Sequence, residues 1–396
     1  MPRLSRRSRS LSLLAFSRDR ARQLFVADNL HILLDGDYHE LNATNDSFML
    51  LGGLNRLNRL MTQSRYIVTR FARKCPYNAF RADLNENDDD LNWLNDEEFL
   101  CKYRMDRVTL DAVTNIIKGD PVFKRGRRGP KQMPVKHQLM IFMHFIGREG
   151  ENNSNQRSVF KVSEGHCENA RDRVATALTN LREEYINWPN ADERKQISRR
   201  IELNYQIPNC VGMMDGTLLE LGITPHCDDK ADYSGRKFRY SLTVNVINDD
   251  KRRIRGYLSG YLGTTHENRV WRNVVQCQRP SDFFSPGEYI VADTAYEPSN
   301  EVIPAFKSSP GMGLLQPPDK QMFNLCLASP RVTAEHTMGL WKGRCSWLCK
   351  IRMIITNEKE SLEHILKYID ATIVLHNMLI DMRCGDDENA AWDVEE

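Results

Sequence analysis

Cys210-Val211-Gly212-Met213-Met214-Asp215-Gly216-Thr217 is the stretch on which the reading of this chain turns. An apolar run of strand length meets an acid and a glycine, and an extended run resumes over 217–223. Downstream, 240–247 alternates Leu242, Val244 and Val246 against Ser241, Thr243 and Asn245, the period of two of a strand. Asp249-Asp250 reads as a turn and 254–261 as the antiparallel return. A helix over 267–277 follows, then a short apolar strand over 289–292 that ends at Asp293. The last third reads as helices over 331–348 and 360–379, with Asn357 and Glu360 at the spacing of a capping box. This order of elements is that of an α/β domain with a central mixed sheet.

Upstream the pattern is helical. From Asp96, Phe99, Leu100, Tyr103, Met105, Val108, Leu110, Val113 and Ile116 recur at spacings of three and four. Helices over 137–146 and 155–181 follow, the second broken near Val162. The break makes a helix-turn-helix reading available, with a turn at Val162-Ser163-Glu164-Gly165 and Arg171 and Arg173 on the second helix. Between these helical stretches, Lys124-Arg125-Gly126-Arg127-Arg128-Gly129-Pro130-Lys131 is a basic loop, read either as a phosphate contact or as a solvated surface.

Composition bounds the function classes. Hydrophobic residues at 41% and charged residues at 27% describe a globular chain, not a disordered one. No stretch approaches the ~20 apolar residues of a membrane span. The net charge of +2 hides separated blocks. Seven arginines stand in 1–24 against Asp19, eight acids stand in 83–98, and the tail after Met382 is acidic. The arginine-rich start is read as a poorly structured terminus, ahead of a nuclear-import or DNA-contacting arm and a transit peptide. Ten scattered cysteines suit reduced thiols; Cys345, Cys349 and His336 lack the second pair that a zinc site needs.

Asp215 and Asp293 stand at strand ends, where open α/β sheets place their sites. Glu335 falls on a helix whose apolar stripe reads Val332, Leu340 and Trp347, with Lys342 on the Glu335 face and Gly339 sparing bulk beside it. Three carboxylates without cysteine or histidine suit a hard ion such as Mg²⁺. A pair of such ions about 3.5–4 Å apart cleaves a phosphodiester by activating water and stabilising the leaving oxygen. On the residues alone, ordinary strand-end and helix-surface acids remain the rival reading.

At these residues the chain resembles the PIF/Harbinger group of DDE transposases and their domesticated derivatives over 96–380. The resemblance rests on Cys210 to Thr217, on Tyr233-Ser234-Gly235-Arg236-Lys237-Phe238-Arg239-Tyr240 running on to Asn245, and on Gly263-Thr264-Thr265-His266-Glu267-Asn268-Arg269-Val270-Trp271-Arg272. It continues in Val291-Ala292-Asp293-Thr294-Ala295-Tyr296, in Phe323-Asn324, in Arg331-Val332-Thr333-Ala334-Glu335 through Gly339 to Lys342-Gly343-Arg344, and in Leu375-His376-Asn377. Glu267 departs from an aspartate and Met338 from an aromatic.

The resemblance implies an RNase H-like mixed-sheet catalytic domain at 206–380, following an all-α region with a helix-turn-helix at 96–205. The segment 1–95 is then a basic and acidic leader and linker, and 381–396 an acidic tail. It implies a metal-dependent DNA endonuclease or transposase, with strand transfer as a further activity. Asp215, Asp293 and Glu335 would be both catalytic residues and ligands of two Mg²⁺ or Mn²⁺ ions. Arg127, Arg128, Lys131, Arg171, Arg173, Arg236, Lys237, Lys342 and Arg344 are the candidate DNA contacts. DNA is the implied partner and the nucleus the implied location; a separate Myb-like DNA-binding protein and a homo-oligomer are further partners the group suggests. The alternatives are a domesticated relative that binds DNA or a partner without cleaving, and an unrelated hydrolase of similar fold.

Overall fold

The computed structural model describes residues 94–124, 132–151, 153–160, 162–235, 239–306 and 318–382. Residues 89–160 with 164–396 group as one unit. The helices and strands named here belong to it. The arginine-rich start, the linker acids before 94 and the acidic tail from 383 lie outside the described residues.

Helix α1 (Asp96–Tyr103) opens on a capping box in which Asn95 and Glu98 exchange side-chain and backbone hydrogen bonds. The helical period does not run on to Ile116. Arg104 turns left-handed at φ 57°, and its guanidinium donates to the Gly147 carbonyl. Helix α2 (Arg107–Ile117) restarts on an Asp106 cap with a new phase, burying Thr109, Leu110, Val113 and Ile117. Val108 is left 79% exposed and Ile116 at the surface.

Helix α3 (Val135–Ile146) is buried from Gln138 to Ile146, so it is enclosed by its neighbours. Helices α4 (Asn153–Phe160) and α5 (Glu164–Asn180) pack on it. Gln156 of α4 donates to the Ile141 carbonyl, and Arg171 of α5 donates to Gln156. On its far side, Asp172 of α5 accepts from Tyr368 and bonds His364 of the C-terminal helix α9 (Lys359–Asp381). Helix α6 (Ala191–Tyr205) then leads into the sheet.

The sheet has five strands in the order β3-β2-β1-β4-β5. Strand β1 (Cys210–Glu220) runs unbroken through Asp215. It pairs antiparallel with β2 (Ser241–Asn248), which pairs antiparallel with β3 (Ile254–Leu262). On its other side β1 pairs parallel with β4 (Tyr289–Ala292), and β4 with β5 (Val302–Pro304). A mixed sheet is the expected one; β5 is not among the expected strands. The helix expected over 267–277 is cut to α7 (Glu267–Trp271) and two single turns.

Four other expectations are corrected. Helix α8 (Pro318–Arg344) begins well before Arg331, with Pro330 inside it. Its buried face is Leu327, Ala334, Thr337, Met338 and Trp341, and Val332 is exposed. The Trp341 indole donates to Thr372 of α9, which holds the two helices in register. Gly339 relieves no crowding, because a side chain there would meet open space. The Asn357–Glu360 capping box does not form. Asn357 is engaged with the backbone and carboxylate of Asp228, and α9 begins on Glu358 without a side-chain cap. No helix among the described residues is long and apolar enough to cross a membrane.

The His376-Asn377 pair acts as a clasp on the β2–β3 hairpin. Asn377 accepts from Ile254 N–H and donates to the Ile254 carbonyl, as a further strand would. His376 bonds the Arg252 carbonyl in the turn.

Candidate active site

Met214 on β1 and Ala292 on β4 are the last partners in the parallel ladder. Asp215 and Asp293 come directly after them, on strands that run side by side about 4.8 Å apart. β1 continues, with Asp215 opposite Val246 on β2, while β4 stops. Met213 and Val291 belong to the apolar cluster shared with α6 and α8, whereas Met214 and Ala292 join the cluster on the opposite face. Strand alternation therefore directs Asp215 and Asp293 toward the α8 side.

Helix α8 brings Glu335 to that side, one residue past buried Ala334. An arginine stands between the acids. Arg331 Nη2 lies 3.0 Å from Asp293 Oδ1 and 3.8 Å from Glu335 Oε1. Asp215 Oδ1 accepts the Gly216 N–H at 2.8 Å. Burial pushes the Asp215 carboxyl up to about 6, against that hydrogen bond, and the charges of Glu267, Asp293 and Glu335 push the same way as burial. Asp215 thus senses the other two expected ligands and one further acid.

That acid, Glu267, is the first residue of α7. A Cβ added to Gly216 would stand 2.8 Å from Glu267 Cγ and Cδ and 3.1 Å from Oε1, so the glycine leaves the space that this side chain fills. Asn245 of β2 holds the Glu267 carbonyl. Tyr296 closes the site from behind. Its ring lies in the apolar cluster, its hydroxyl has no hydrogen-bond partner, and burial, then the charges of Glu267, Asp215 and Asp293, raise its pKa. The sequence marks Glu267 as a departure from a motif and as the first substitute for Glu335, and it gives Tyr296 and Arg331 no role. All three lie inside the quoted blocks, but nothing in their spacing gives them a role.

Among the described residues, no three His, Cys, Asp or Glu side chains are gathered closely enough to hold a metal ion. The donor set nevertheless suits a hard divalent cation. It consists of carboxylates, and a guanidinium already stands as a cation between two of them. The Cys345 thiol, just past the end of α8, is buried, and burial pushes it up to about 12, which keeps it neutral.

The basic candidates separate clearly. Arg127, Arg128, Lys131, Arg236 and Lys237 lie outside the described residues. Arg171 and Arg344 are corrected from surface cations to interior groups: Arg171 is buried over the Phe145 ring at 4.1 Å, and Arg344 is buried at the end of α8. Lys342 donates to the Leu218 carbonyl at 2.9 Å; burial lowers its pKa, while Cys349 and Asp215 raise it. Arg173 is half-buried on α5.

Two acids at the ends of parallel neighbouring strands and a third on a helix that reaches the same side make one carboxylate cluster. Residues 214–377 match the family described as DDE superfamily endonuclease, a segment that contains Asp215, Asp293 and Glu335. Over 175 residues the chain is 21% identical to the Arabidopsis thaliana protein "antagonist of like heterochromatin protein 1". That match covers 42% of this chain and 43% of the relative, so the chain spans less than half of the relative's length. No solved structure gives a significant match.

Proposed function

We propose that this chain is a metal-dependent DNA endonuclease of DDE type, a transposase or a nuclease derived from one, with an RNase H-like catalytic domain at 206–380. One observation carries the reading: Asp215 and Asp293 directly follow the last register pair of two parallel strands, with Glu335 linked to Asp293 through Arg331. The ligand set is Asp215, Asp293 and Glu335, and the metal Mg²⁺ or Mn²⁺, as a pair. Bound ions of this kind activate water, stabilise the leaving oxygen and neutralise the phosphate. The strand ends fix the spacing of the two aspartates, and Gly216 N–H orients one oxygen of Asp215. Glu335, on the exposed flank of α8, approaches without disturbing the face that packs the helix down.

Cleavage of labelled DNA in Mg²⁺ or Mn²⁺, beside an Asp293→Asn variant, tests the reading. Cleavage by the parent and none by the variant is the expected result. A parent that binds DNA without cutting it would favour the domesticated, binding-only alternative. Glu335→Gln should cut the rate by at least about a hundredfold, since a carboxylate ligand loses its charge. DNA affinity and melting temperature should hold, because Glu335 is 60% exposed. If Glu335→Gln cleaves like the parent, Glu267 becomes the third ligand.

DNA is the proposed partner. Helices α4 and α5 form the proposed helix-turn-helix within the region 96–205, and the basic loop supplies phosphate contacts. Of that loop only Lys124 is among the described residues. Neutralising Lys124, Arg125, Arg127, Arg128 and Lys131 together should flatten the salt dependence of DNA binding. Each lost phosphate contact removes about 0.9 from the log–log slope. An unchanged slope would show that the loop is merely solvated. The nucleus is the proposed location, supported by a relative named for a heterochromatin protein. A Myb-like DNA-binding protein and a second copy of this chain are the further partners proposed.

A further inference from the structure

We infer that Arg331 is the resident counter-ion of the carboxylate centre: it holds the space between Asp293 and Glu335 until divalent metal displaces it, and then serves the DNA phosphate. The inference rests on the reading of the site as a metal-dependent nuclease. One guanidinium nitrogen, Nη2, faces oxygens of both acids, 3.0 Å and 3.8 Å away, so the cation now beside Asp293 and Glu335 is Arg331 itself. One turn of α8 separates Arg331 from Glu335, so the backbone carries both into the site together.

The chemistry explains the pairing. Without a cation, Asp215, Glu267, Asp293 and Glu335 form a repelling group. A guanidinium offers a planar fork that meets carboxylates and phosphates equally well. Its side chain and that of Asp293 are about a third exposed, and Glu335 more so. Ion pairs that open to water contribute little, so a divalent ion can take both acids from it. The released guanidinium is tethered beside the reacting centre, and the scissile phosphate is the anion that enters there. The site thereby exchanges one cation for another, and the first becomes a ligand of the substrate.

Titration with Mn²⁺, followed by the electron paramagnetic resonance signal of the free ion, tests the exchange in the full chain. Arg331→Gln should bind Mn²⁺ about threefold or more tightly than the parent, because the competing cation is gone. Arg331→Lys should fall between them, retaining charge but not the fork. DNA binding is measured in parallel, with Ca²⁺ to load the site without turnover. Arg331→Gln should weaken DNA binding in loaded protein and lower the salt slope by about 0.9. It should leave metal-free DNA binding unchanged. Mn²⁺ affinity equal to or weaker than the parent's would overturn the counter-ion role. Tighter Mn²⁺ binding with unchanged loaded DNA affinity would overturn the phosphate role. A parent that takes up no Mn²⁺ at all would overturn the nuclease reading, and this inference with it.

Discussion

Asp215→Asn should abolish cleavage and, in metal-free buffer at neutral pH, make the protein more stable. Burial is the first cause, and the neighbouring acids add to it: together they raise the Asp215 carboxyl from 3.8 to about 6. A folded-state pKa above the unfolded one means that the protonated form is favoured by folding. That stability is fully present below about 3.8 and is lost as pH rises through about 6. At pH 7 the ionised carboxylate therefore costs on the order of 3 kcal/mol. Asparagine keeps the shape and the acceptor for Gly216 N–H but carries no charge. A gain of this order corresponds to a melting temperature higher by about 5 °C in a chain of this size.

Melts of parent and variant in EDTA, from pH 4 to pH 8, are the measurement. The variant's advantage should be largest at pH 7 and vanish toward pH 4. Cleavage should meanwhile fall by about 10³-fold or more, as for a residue that acts at the reacting centre. A variant that melts with or below the parent at pH 7 would mean that Asp215 is not strained by its surroundings. Opposite effects on stability and rate are what a site selected for chemistry shows.

The parts of this site that sequence could reveal are those set by local rules. The alternation of Leu242, Val244 and Val246 and the apolar run before Asp293 put β2 and β4 where the structure has them. The acids that end β1's buried half and β4 follow from the same reading. Helix α8 was harder. Pro330 signals a helix start, since proline inside a helix removes a hydrogen bond, and this signal hides the part of the helix before it. Its packing face is built partly from Ala334 and Thr337, which a search for large apolar residues does not count. Glu267, Tyr296 and Arg331 escape for a different reason. Their roles arise from contacts across the sheet end, between elements far apart in sequence, and no periodicity encodes such contacts. His376-Asn377 shows the converse. Its motif was legible, but the fold gives the pair a structural task, closing the edge of β3.

Acid should unfold this protein early, because two histidines are buried in neutral form. Burial is the main cause of depression to about 3 at both His144 and His376. Arg148 and Lys102 add to it at His144. At His376 Arg344 adds to it, the bond to the Arg252 carbonyl opposes it, and Arg253 contributes a little. The unfolded chain protonates these rings near 6.5 while the folded chain does not. The stability they lend is present above 6.5 and is lost as pH falls toward 3. At pH 5 the loss is about 2 kcal/mol for each ring, about 4 kcal/mol together. Asp215 works the other way, since protonation between pH 7 and pH 5 relieves it, but that gain is only about 1.4 kcal/mol. The histidines therefore dominate. Urea unfolding at pH 7 and pH 5 should show the parent losing about 2.6 kcal/mol, and His144→Leu about 2 kcal/mol less than that. The difference between the two pH values is the quantity to compare, so it stays informative even if the substitution itself costs stability. Equal losses in parent and variant would mean that His144 takes up its proton without unfolding. A search for the proton's acceptor would then begin at its two nitrogens, which have no hydrogen-bond partner inside α3.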